Sequence, residues 1–306
     1  MRRLIEFLNL KAPKISYNIQ GALLGVFIMF DNVFEDKLFA SENPNMLTAG
    51  IQEVNMSGVK FNARFSLAIN IQRNIYYRIE FVSFERTIQR ALQDYINSLF
   101  HYSGTHSLET DDGLHGLPSL RNVTDILIRG EKIDVKVLED YFINNPNHHS
   151  AHIVPVINGE IAENSKLWNT ERICIWNQAA GTFLRRFTGQ HLHLQNVQSE
   201  ASDIVYLLEE WVSNRAYRNL KSLYIRWKKE NWPVYDEIRN RLQLTRYRPD
   251  PPARYSQFRY DLQILGLKTS DLEVKTRDVF EMRRSDGRRA LLILRLKTVC
   301  LLVDPS

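Results

Sequence analysis

The sequence predicts a mixed α/β fold: an irregular, leucine-rich-repeat-like stack of β-α units with a β-hairpin at each end. Three observations predict this class. Residues 190–227 form an apparent strand-helix-strand unit, apolar residues alternate near both ends of the chain, and Asp286-Gly287 separates two β-rich runs. A single β-α unit cannot bury its apolar face, so we expect several units to stack. Regular leucine-rich repeats are not predicted, because the leading strands recur at irregular intervals.

The composition is that of an ordinary globular protein. Of 306 residues, 44% are hydrophobic and 25% charged. The longest apolar run, residues 21–30, is about half the ~20 residues that a membrane-spanning helix needs, and no signal-peptide core follows the start. We therefore expect a soluble, intracellular protein, cytoplasmic or nuclear. Cys174 and Cys300 are too few for a disulfide framework, and each lies in an apolar stretch that favours an inert core thiol.

Residues 13–120 are predicted to form a β-rich part with one long helix. Two β-rich runs, 14–20 and 23–30, meet at Gly21 and indicate a hairpin. Later in this part the apolar period changes from two to about 3.6 residues, which predicts a helix over 84–100.

Residues 121–306 are predicted to form the repeat-like part. Strand and helix patterns alternate here, and Asp134 stands where a helix N-cap is expected. Ser199 is the predicted cap of a second helix, with Glu200 in its first turn. The apolar stripe of that helix has the spacing i, i+3, i+4, i+7 and consists of Ile204, Leu207, Leu208 and Trp211. The strands on either side are marked by alternating residues, Leu192 and Leu194 before the helix and Leu223 and Ile225 after it.

Two local sequence patterns in the C-terminal region predict a connector and a turn. The proline-rich run 248–253 cannot continue a helix or a central strand and is predicted to be a connector. Asp286-Gly287 between β-rich runs predicts a hairpin, with Gly287 at positive φ.

Positive charge is concentrated in residues 215–259, which hold twelve Lys or Arg against four Asp or Glu, whereas the rest of the chain is mildly acidic. Tryptophans and tyrosines are interleaved with these charges, as on a surface that contacts phosphates and stacks bases. Solvated helix faces and loops account for the same pattern without nucleic acid. The candidate partner-binding residues of this segment are Arg226, Trp227, Lys228, Lys229 and Trp232.

No motif in the sequence predicts catalysis. His191 and His193 project from one face of a strand, but no Cys, Asp or Glu nearby in sequence completes a metal site, so both are predicted to be surface residues. A phosphate-binding glycine loop, a serine elbow and an HExxH motif are all missing from the sequence. We therefore expect neither an enzyme nor a bound metal or cofactor.

The stretch from Trp168 to Ala290 resembles the nematode F-box proteins that carry a type 2 F-box-associated domain. The first mark is the strand Leu192-His-Leu-Gln-Asn196, although the family usually has a cysteine beside the asparagine. The second is the helix that ends at Trp211, with the strand Leu223-Tyr-Ile225 after it. The third is Met282-Arg-Arg-Ser-Asp-Gly-Arg-Arg-Ala290. The matching residues of the third mark are Arg284, Asp286, Gly287 and Ala290.

The resemblance implies a protein-binding scaffold, similar to the substrate-recognition part of a cullin-type ubiquitin-ligase receptor that acts in ubiquitin-dependent protein degradation. Its partner would be a target protein. Residues 1–12 resemble only the last helix of an F-box, so we expect the chain not to bind the adaptor that links F-boxes to cullins. The alternative is a nucleic-acid-associated protein that uses the basic and aromatic residues of 215–259. No interaction with a membrane is expected.

Overall fold

The computed structural model describes residues 14–21, 23–30, 33–43, 50–69, 75–81, 85–111, 117–118, 120–242, 244–246 and 279–304. The predicted F-box remnant (1–12) and the predicted connector (248–253) lie outside these residues. The chain divides into an N-terminal unit, Met1–Ile133, and a C-terminal unit, Asp134–Ser306. The sequence had placed this boundary after residue 120.

The N-terminal unit consists of an eight-stranded mixed sheet and one long helix. Its strands are β1 (Lys14–Gln20), β2 (Leu23–Phe30), β3 (Val33–Glu42), β4 (Gln52–Met56), β5 (Val59–Ile69), β6 (Ile75–Phe81), β7 (His106–Thr110) and β8 (Val123–Ile128). They lie in the order β8-β7-β1-β2-β3-β6-β5-β4. Most neighbours are antiparallel, but β1 with β7, β7 with β8, and β3 with β6 are parallel. The helix α1 spans Arg86–Leu99.

The predicted N-terminal hairpin is confirmed. β1 and β2 pair antiparallel, and Gly21 between them has a φ of +54°. This is the left-handed region that glycine enters at no steric cost. The long helix is confirmed as α1 and begins after Glu85.

The C-terminal unit contains the remaining elements. Its helices are α2 (Val135–Asn144), α3 (Gly181–Arg186), α4 (Ala201–Val212), α5 (Trp232–Arg241) and a 3₁₀ helix (Lys166–Asn169). After β9 (Lys132–Asp134) at the boundary, its strands are β10 (Ser150–Ile153), β11 (Val156–Asn158), β12 (Arg172–Trp176), β13 (His191–Val197), β14 (Ser222–Trp227), β15 (Thr245–Arg246), β16 (Val279–Arg283), β17 (Arg289–Arg295) and β18 (Thr298–Val303).

The main sheet of this unit changes direction at β14. The strands β10, β12, β13 and β14 pair in parallel, with α3 between β12 and β13 in the chain and α4 between β13 and β14. Beyond β14, the strands β18, β17, β16 and β15 follow in antiparallel pairs. The chain is therefore a mixed α/β protein, as predicted, and the predicted C-terminal hairpin is present as β16 and β17.

Of the two helix N-caps predicted for this unit, one is confirmed and one is wrong. Asp134 Oδ1 accepts a hydrogen bond from the Lys136 amide at 2.8 Å, so the predicted cap of α2 is confirmed. The predicted Ser199 cap of α4 is wrong, because Glu200 occupies the N-cap position and makes no side-chain cap bond. Asp203, not Glu200, provides the carboxylate in the first turn.

The predicted apolar stripe lies in the core. Ile204, Leu207, Leu208 and Trp211 of α4 are fully buried, as are the four predicted strand residues Leu192, Leu194, Leu223 and Ile225. Successive side chains of a strand point to opposite faces of the sheet. The four strand residues therefore occupy one face, and His191, His193, Tyr224 and Arg226 occupy the other.

Candidate functional site

Two of the three sequence marks, the helix that ends at Trp211 and the loop around Arg284, are in contact in the structure. The Arg284 side chain is buried and its guanidinium carbon lies 5.6 Å from the centre of the Trp211 ring. Arg284 Nη1 donates to the Arg218 carbonyl at 3.2 Å, and the Ser285 amide donates to the Val212 carbonyl at 2.8 Å. These contacts hold the loop between β16 and β17 against the end of α4. We call Trp211, Arg284 and Asp286 the tryptophan cluster.

Asp286 and Gly287 form the turn that the sequence predicted. Arg284 Nη2 donates to Asp286 Oδ2 at 2.7 Å, and the Arg288 amide donates to Asp286 Oδ1 at 3.1 Å. Hydrogen bonds from Arg284, and then from that amide, lower the pKa of Asp286 to about 2. Gly287 has a φ of +92°, and its amide donates to the Arg284 carbonyl, so the predicted positive φ is confirmed.

Two other residues of the three sequence marks, Asn196 and Ala290, also have structural positions. Asn196 has a φ of +52° where the register between β13 and β14 shifts, so it forms a β-bulge in a conformation that asparagine tolerates. Ala290 is buried in β17. The contacts of the tryptophan cluster, the bulge and this buried alanine are those of a folding core, and the candidate site lies elsewhere.

The polar face of the parallel strands carries a row of ring and thiol side chains. His152, Cys174, His193 and Tyr224 are direct partners across β10, β12, β13 and β14. His193 is fully buried, so its predicted place on the surface is wrong: both faces of β13 are covered at this point. Burial, with smaller effects of His191 and His152, lowers the pKa of His193 to about 3. This imidazole is therefore neutral at physiological pH.

Both cysteines lie in the core, as predicted. Cys174 and Cys300 are buried and free, and burial raises the pKa of each to about 12. A thiol with so high a pKa is protonated at neutral pH. In the part of the chain that the structure describes, no group of three or more His, Cys, Asp or Glu is arranged to hold a metal ion.

The predicted partner-binding residues divide into exposed and buried ones. Arg226, Lys228 and Lys229 are exposed, and Trp232 at the start of α5 is 55% exposed. Trp227 is only 3% exposed, and its Nε1 donates to Ser199 Oγ at 2.6 Å. Trp227 is therefore a core residue, whereas the other four candidate residues are exposed. Successive residues of a strand face opposite sides, so Arg226 and Trp227 do not share a surface.

Two cations that the sequence analysis missed lie beside Arg226. In the sheet, Thr298 of β18 pairs with Arg226 of β14 on one side and with Arg295 of β17 on the other. Directly paired residues project to the same face. Lys297 lies in the two-residue turn between β17 and β18. The sequence shows only the pair Arg295-x-Lys297 between two apolar runs. This pair does not indicate which residues will lie beside it in the sheet.

Together these residues line a cavity of about 250 Å³, which we call the basic cleft. The described residues that line it are Tyr224, Arg226, Ile293, Arg295, Lys297, Thr298 and Cys300. The buried Tyr224, Ile293 and Cys300 form an apolar part of the wall, and the three cations and the Thr298 hydroxyl form the polar part.

No family model, curated protein or solved structure matches this chain. A helix of sufficient length and apolarity to cross a membrane is also not found among the described residues.

The basic cleft is chemically suited to hold an anion. Arginine presents a planar fork of donors that fits carboxylate or phosphate oxygens, and lysine adds a point charge. None of the described residues that line the cleft is Asp or Glu. Lys228, Lys229 and Trp232 follow Arg226 closely in the chain, in the loop after β14 and at the start of α5.

Proposed function

We propose that this protein is a non-enzymatic, intracellular protein-binding scaffold that resembles the substrate-recognition part of an F-box ubiquitin-ligase receptor. The observation that carries the proposal is the basic surface at the end of β14, where Arg226, Lys228 and Lys229 are exposed close in sequence to the exposed Trp232. Exposed tryptophan and arginine are the residues that most often dominate binding energy at protein interfaces. An acidic protein segment is the complementary partner.

The resemblance to the F-box-associated domain remains part of the proposal. It is supported by the meeting of two separate sequence marks, the helix ending at Trp211 and the loop around Arg284, in one buried cluster. We also propose that the region from β10 to β14 is the leucine-rich-repeat-like stack. Its four parallel strands, with α3 and α4 in the last two connections, support this.

The local geometry around Trp232 favours a protein partner. The rings of Trp232 and Tyr235 pack edge to face with 6.3 Å between their centres, which restrains an aromatic side chain that is more than half exposed. A restrained aromatic side chain loses little conformational entropy on binding. Lys228 and Lys229 would steer an acidic segment towards it.

The alternative, a nucleic-acid-associated protein, rests on the same positive charge. Base stacking needs exposed aromatic faces next to the cations. Of the aromatic residues of 215–259 that the structure describes, Tyr224 and Trp227 are buried, which leaves Trp232 as the most exposed ring. Tyr247, Tyr255 and Phe258 lie outside the described residues. The described geometry therefore favours protein over nucleic acid.

The mechanism of such a scaffold is positional. If it is part of a ligase receptor, binding holds the target near a ubiquitin-loaded enzyme and raises the effective concentration of the target's lysines. The chain then needs no catalytic group of its own.

Affinity purification with quantitative mass spectrometry tests the proposal. Three forms of the chain are compared: wild type, the double variant Lys228→Glu/Lys229→Glu, and Lys221→Glu. Lys221 is an exposed cation immediately before β14, at the opposite end of the strand from Arg226, so it is a matched control. We expect wild type and the control to retain the same specific set of proteins, and the double variant to lose it. Nuclease treatment should not remove these proteins from wild type.

Two results contradict the proposal. Retention of the same proteins by all three forms would show that the basic surface is not the binding site. Loss of all partners on nuclease treatment, with log affinity for an oligonucleotide falling linearly with log salt, would support the nucleic-acid alternative. The separate expectation that the chain does not bind the cullin adaptor is tested by a pull-down with purified adaptor; stoichiometric capture would contradict it.

A further inference from the structure

We propose that Thr188 is a phosphorylation site for a serine/threonine kinase that selects basic substrates, and that its phosphate opens the contact between residues 187–190 and residues 168–171. We call this contact the loop contact. The inference goes beyond the proposed protein-binding function and does not depend on it. It rests on a charge pattern in the sequence, on the exposure of the groups that a kinase would bind, and on the hydrogen bonds of the Thr188 hydroxyl.

The charge pattern lies directly before the threonine. Two arginines stand three and two residues before it, in the run Arg185-Arg186-Phe187-Thr188. Kinases that select basic substrates bind arginines at these two positions through carboxylates near the active site. The pattern Arg-Arg-x-Ser/Thr occurs once in the sequence. It therefore distinguishes Thr188 from the other serines and threonines of the chain.

The groups that a kinase would bind are accessible from solvent. Thr188 is exposed and lies in the irregular segment between α3 and β13. The side chains of Arg185 and Arg186 are 63% and 43% exposed. Each arginine also contacts a carboxylate of the protein, Arg185 that of Asp203 at 2.7 Å and Arg186 that of Glu163. The carboxylates of a kinase would replace these partners.

A kinase binds its substrate as an extended chain, so the last turn of α3 has to unwind. This helix has six residues, too few to be stable without its tertiary contacts. The turn is closed by the Phe187 amide, which donates to the Phe183 carbonyl at 3.2 Å, and the Phe187 ring is buried. Native proteins open locally in this way while the rest of the fold is retained. Thr188 becomes a substrate in the opened form.

The Thr188 hydroxyl holds one end of the loop contact. It donates to the Trp168 carbonyl at 2.9 Å, and its oxygen lies 3.3 Å from Asn169 Oδ1. The Thr188 amide donates to the same Trp168 carbonyl at 3.2 Å. The hydroxyl is therefore surrounded by acceptor oxygens, and it fits there because it can donate a proton.

The other end of the loop contact is held by backbone and is closely packed. The Gln190 amide donates to the Glu171 carbonyl at 2.8 Å. A Cβ atom built on Gly189 would lie 2.2 Å from the Thr170 carbonyl oxygen, so the two segments approach as closely as glycine allows. A phosphate on the neighbouring Thr188 therefore has no room between the segments.

Phosphorylation would remove a donor and add negative charge at this position. A bond forms between the γ-phosphorus of ATP and Thr188 Oγ1, the bond from that phosphorus to the β-γ bridging oxygen breaks, and ADP leaves. The hydroxyl proton passes to the catalytic aspartate of the kinase. The ester oxygen has no proton to donate, and a phosphate of about −1.5 to −2 charges is repelled by the oxygens of Trp168 and Asn169. The phosphorylated chain cannot restore these bonds, so this end of the loop contact stays open.

Phosphorylation of the purified full chain tests the site. The probe is the catalytic subunit of cyclic-AMP-dependent protein kinase with ATP, and mass spectrometry maps the phosphate. We expect a phosphate on Thr188 that Thr188→Ala removes. Thr182→Ala is the control, because Thr182 is an exposed threonine of α3 whose loss leaves both arginines in place. The double variant Arg185→Gln/Arg186→Gln should lower the initial rate about tenfold or more, the effect of losing a charge-assisted hydrogen bond.

Arg239→Gln is the control for the loss of charge. Arg239 is an exposed arginine of α5, and its variant should be phosphorylated as fast as wild type. Far-UV circular dichroism checks that every variant is folded. Undiminished incorporation into Thr188→Ala, equal rates for the double variant and Arg239→Gln, or no incorporation into folded wild type would each overturn the site.

Hydrogen exchange followed by mass spectrometry tests the opening. Amides of residues 187–190 should exchange faster after phosphorylation, amides of β14 should not change, and phosphatase treatment should reverse the effect. The melting temperature should fall by about 2–4 °C, the shift expected for the loss of one hydrogen bond in a unit of this size. Thr188→Val, which removes the donor without adding charge, should lower it too, whereas Thr188→Ser should not. Unchanged exchange at 187–190, or a higher melting temperature after phosphorylation, would overturn the proposed opening.

Discussion

Truncation of Trp211 to alanine should destabilise the C-terminal unit by about 3–5 kcal/mol. The side chain is fully buried in α4. A tryptophan buries roughly 150–250 Å² of surface, which at about 25 cal/mol per Å² corresponds to an upper estimate of about 4–6 kcal/mol. The usual cost of large-to-alanine truncation of an aromatic core residue, about 3–5 kcal/mol, lies in this range. The loss of the stacked guanidinium of Arg284 acts in the same direction.

The variant Trp211→Phe separates packing from hydrogen bonding at this position. Trp211 Nε1 is buried and has no hydrogen-bond partner in the described structure, so its removal breaks no bond. Phenylalanine retains an aromatic face for Arg284 and leaves a small void. We therefore expect a loss below about 2 kcal/mol, less than half the effect of alanine.

Urea denaturation followed by far-UV circular dichroism measures these differences. Tryptophan fluorescence is unsuitable because the substitution removes one of the five tryptophans. Trp232→Ala is the matched control: its side chain is 55% exposed, so its truncation should cost less than about 1 kcal/mol. A loss below about 1 kcal/mol for Trp211→Ala, or equal losses for alanine and phenylalanine, would refute the assignment of Trp211 as a packed core residue.

Two further predictions concern turns and buried hydrogen bonds. Gly287→Val should be less stable than Gly287→Asn by about 1 kcal/mol or more in thermal melts, because φ is +92° and asparagine tolerates the left-handed region better than a β-branched residue; equal stability would contradict this. Ser199→Ala should cost about 1–3 kcal/mol, because it leaves the buried Trp227 indole N–H without its acceptor. In a double-mutant cycle with Trp227→Phe, the two losses should not add, whereas additive losses would show that the bond contributes nothing.

Local signals predicted much of the fold. Each confirmed element depends on neighbours in sequence: the hairpin at Gly21, the cap at Asp134, the stripe that ends at Trp211 and the turn at Gly287. In these cases residues within about one to three helical turns of one another determine the backbone conformation or the helical periodicity. The local residue pattern is therefore enough to predict the element.

The failed predictions have a common cause, which is competition from distant residues. Ser199 has the right chemistry for an N-cap, but its hydroxyl accepts from Trp227, 28 residues away. His193 alternates with leucines as an exposed residue would, yet it is fully buried. A period-two pattern identifies the more apolar face of a strand but does not show whether the other face is covered.

The basic cleft was missed for the same reason. Arg226 and Arg295 are 69 positions apart and become neighbours only because β18 inserts between β14 and β17. Antiparallel pairing of this kind is set by the register of the whole sheet, which no local motif encodes. The basic segment 215–259 contains only one of the three cations that line the cleft.

The tryptophan cluster and the basic cleft are connected through β17. Its first residue, Arg289, follows the loop in which Arg284 packs on Trp211 and donates to Asp286, and its last residue, Arg295, lines the basic cleft. Seven residues of strand span roughly 20 Å, so the tryptophan cluster holds one end of β17 while the cleft lies at its other end. We therefore expect Trp211 and Arg284 to be required for folding, whereas the choice of the proposed partner would depend on side chains at the cleft end of β17, β18 and β14. The residues on which the proposed family resemblance rests are for this reason different from those that we propose to bind the partner.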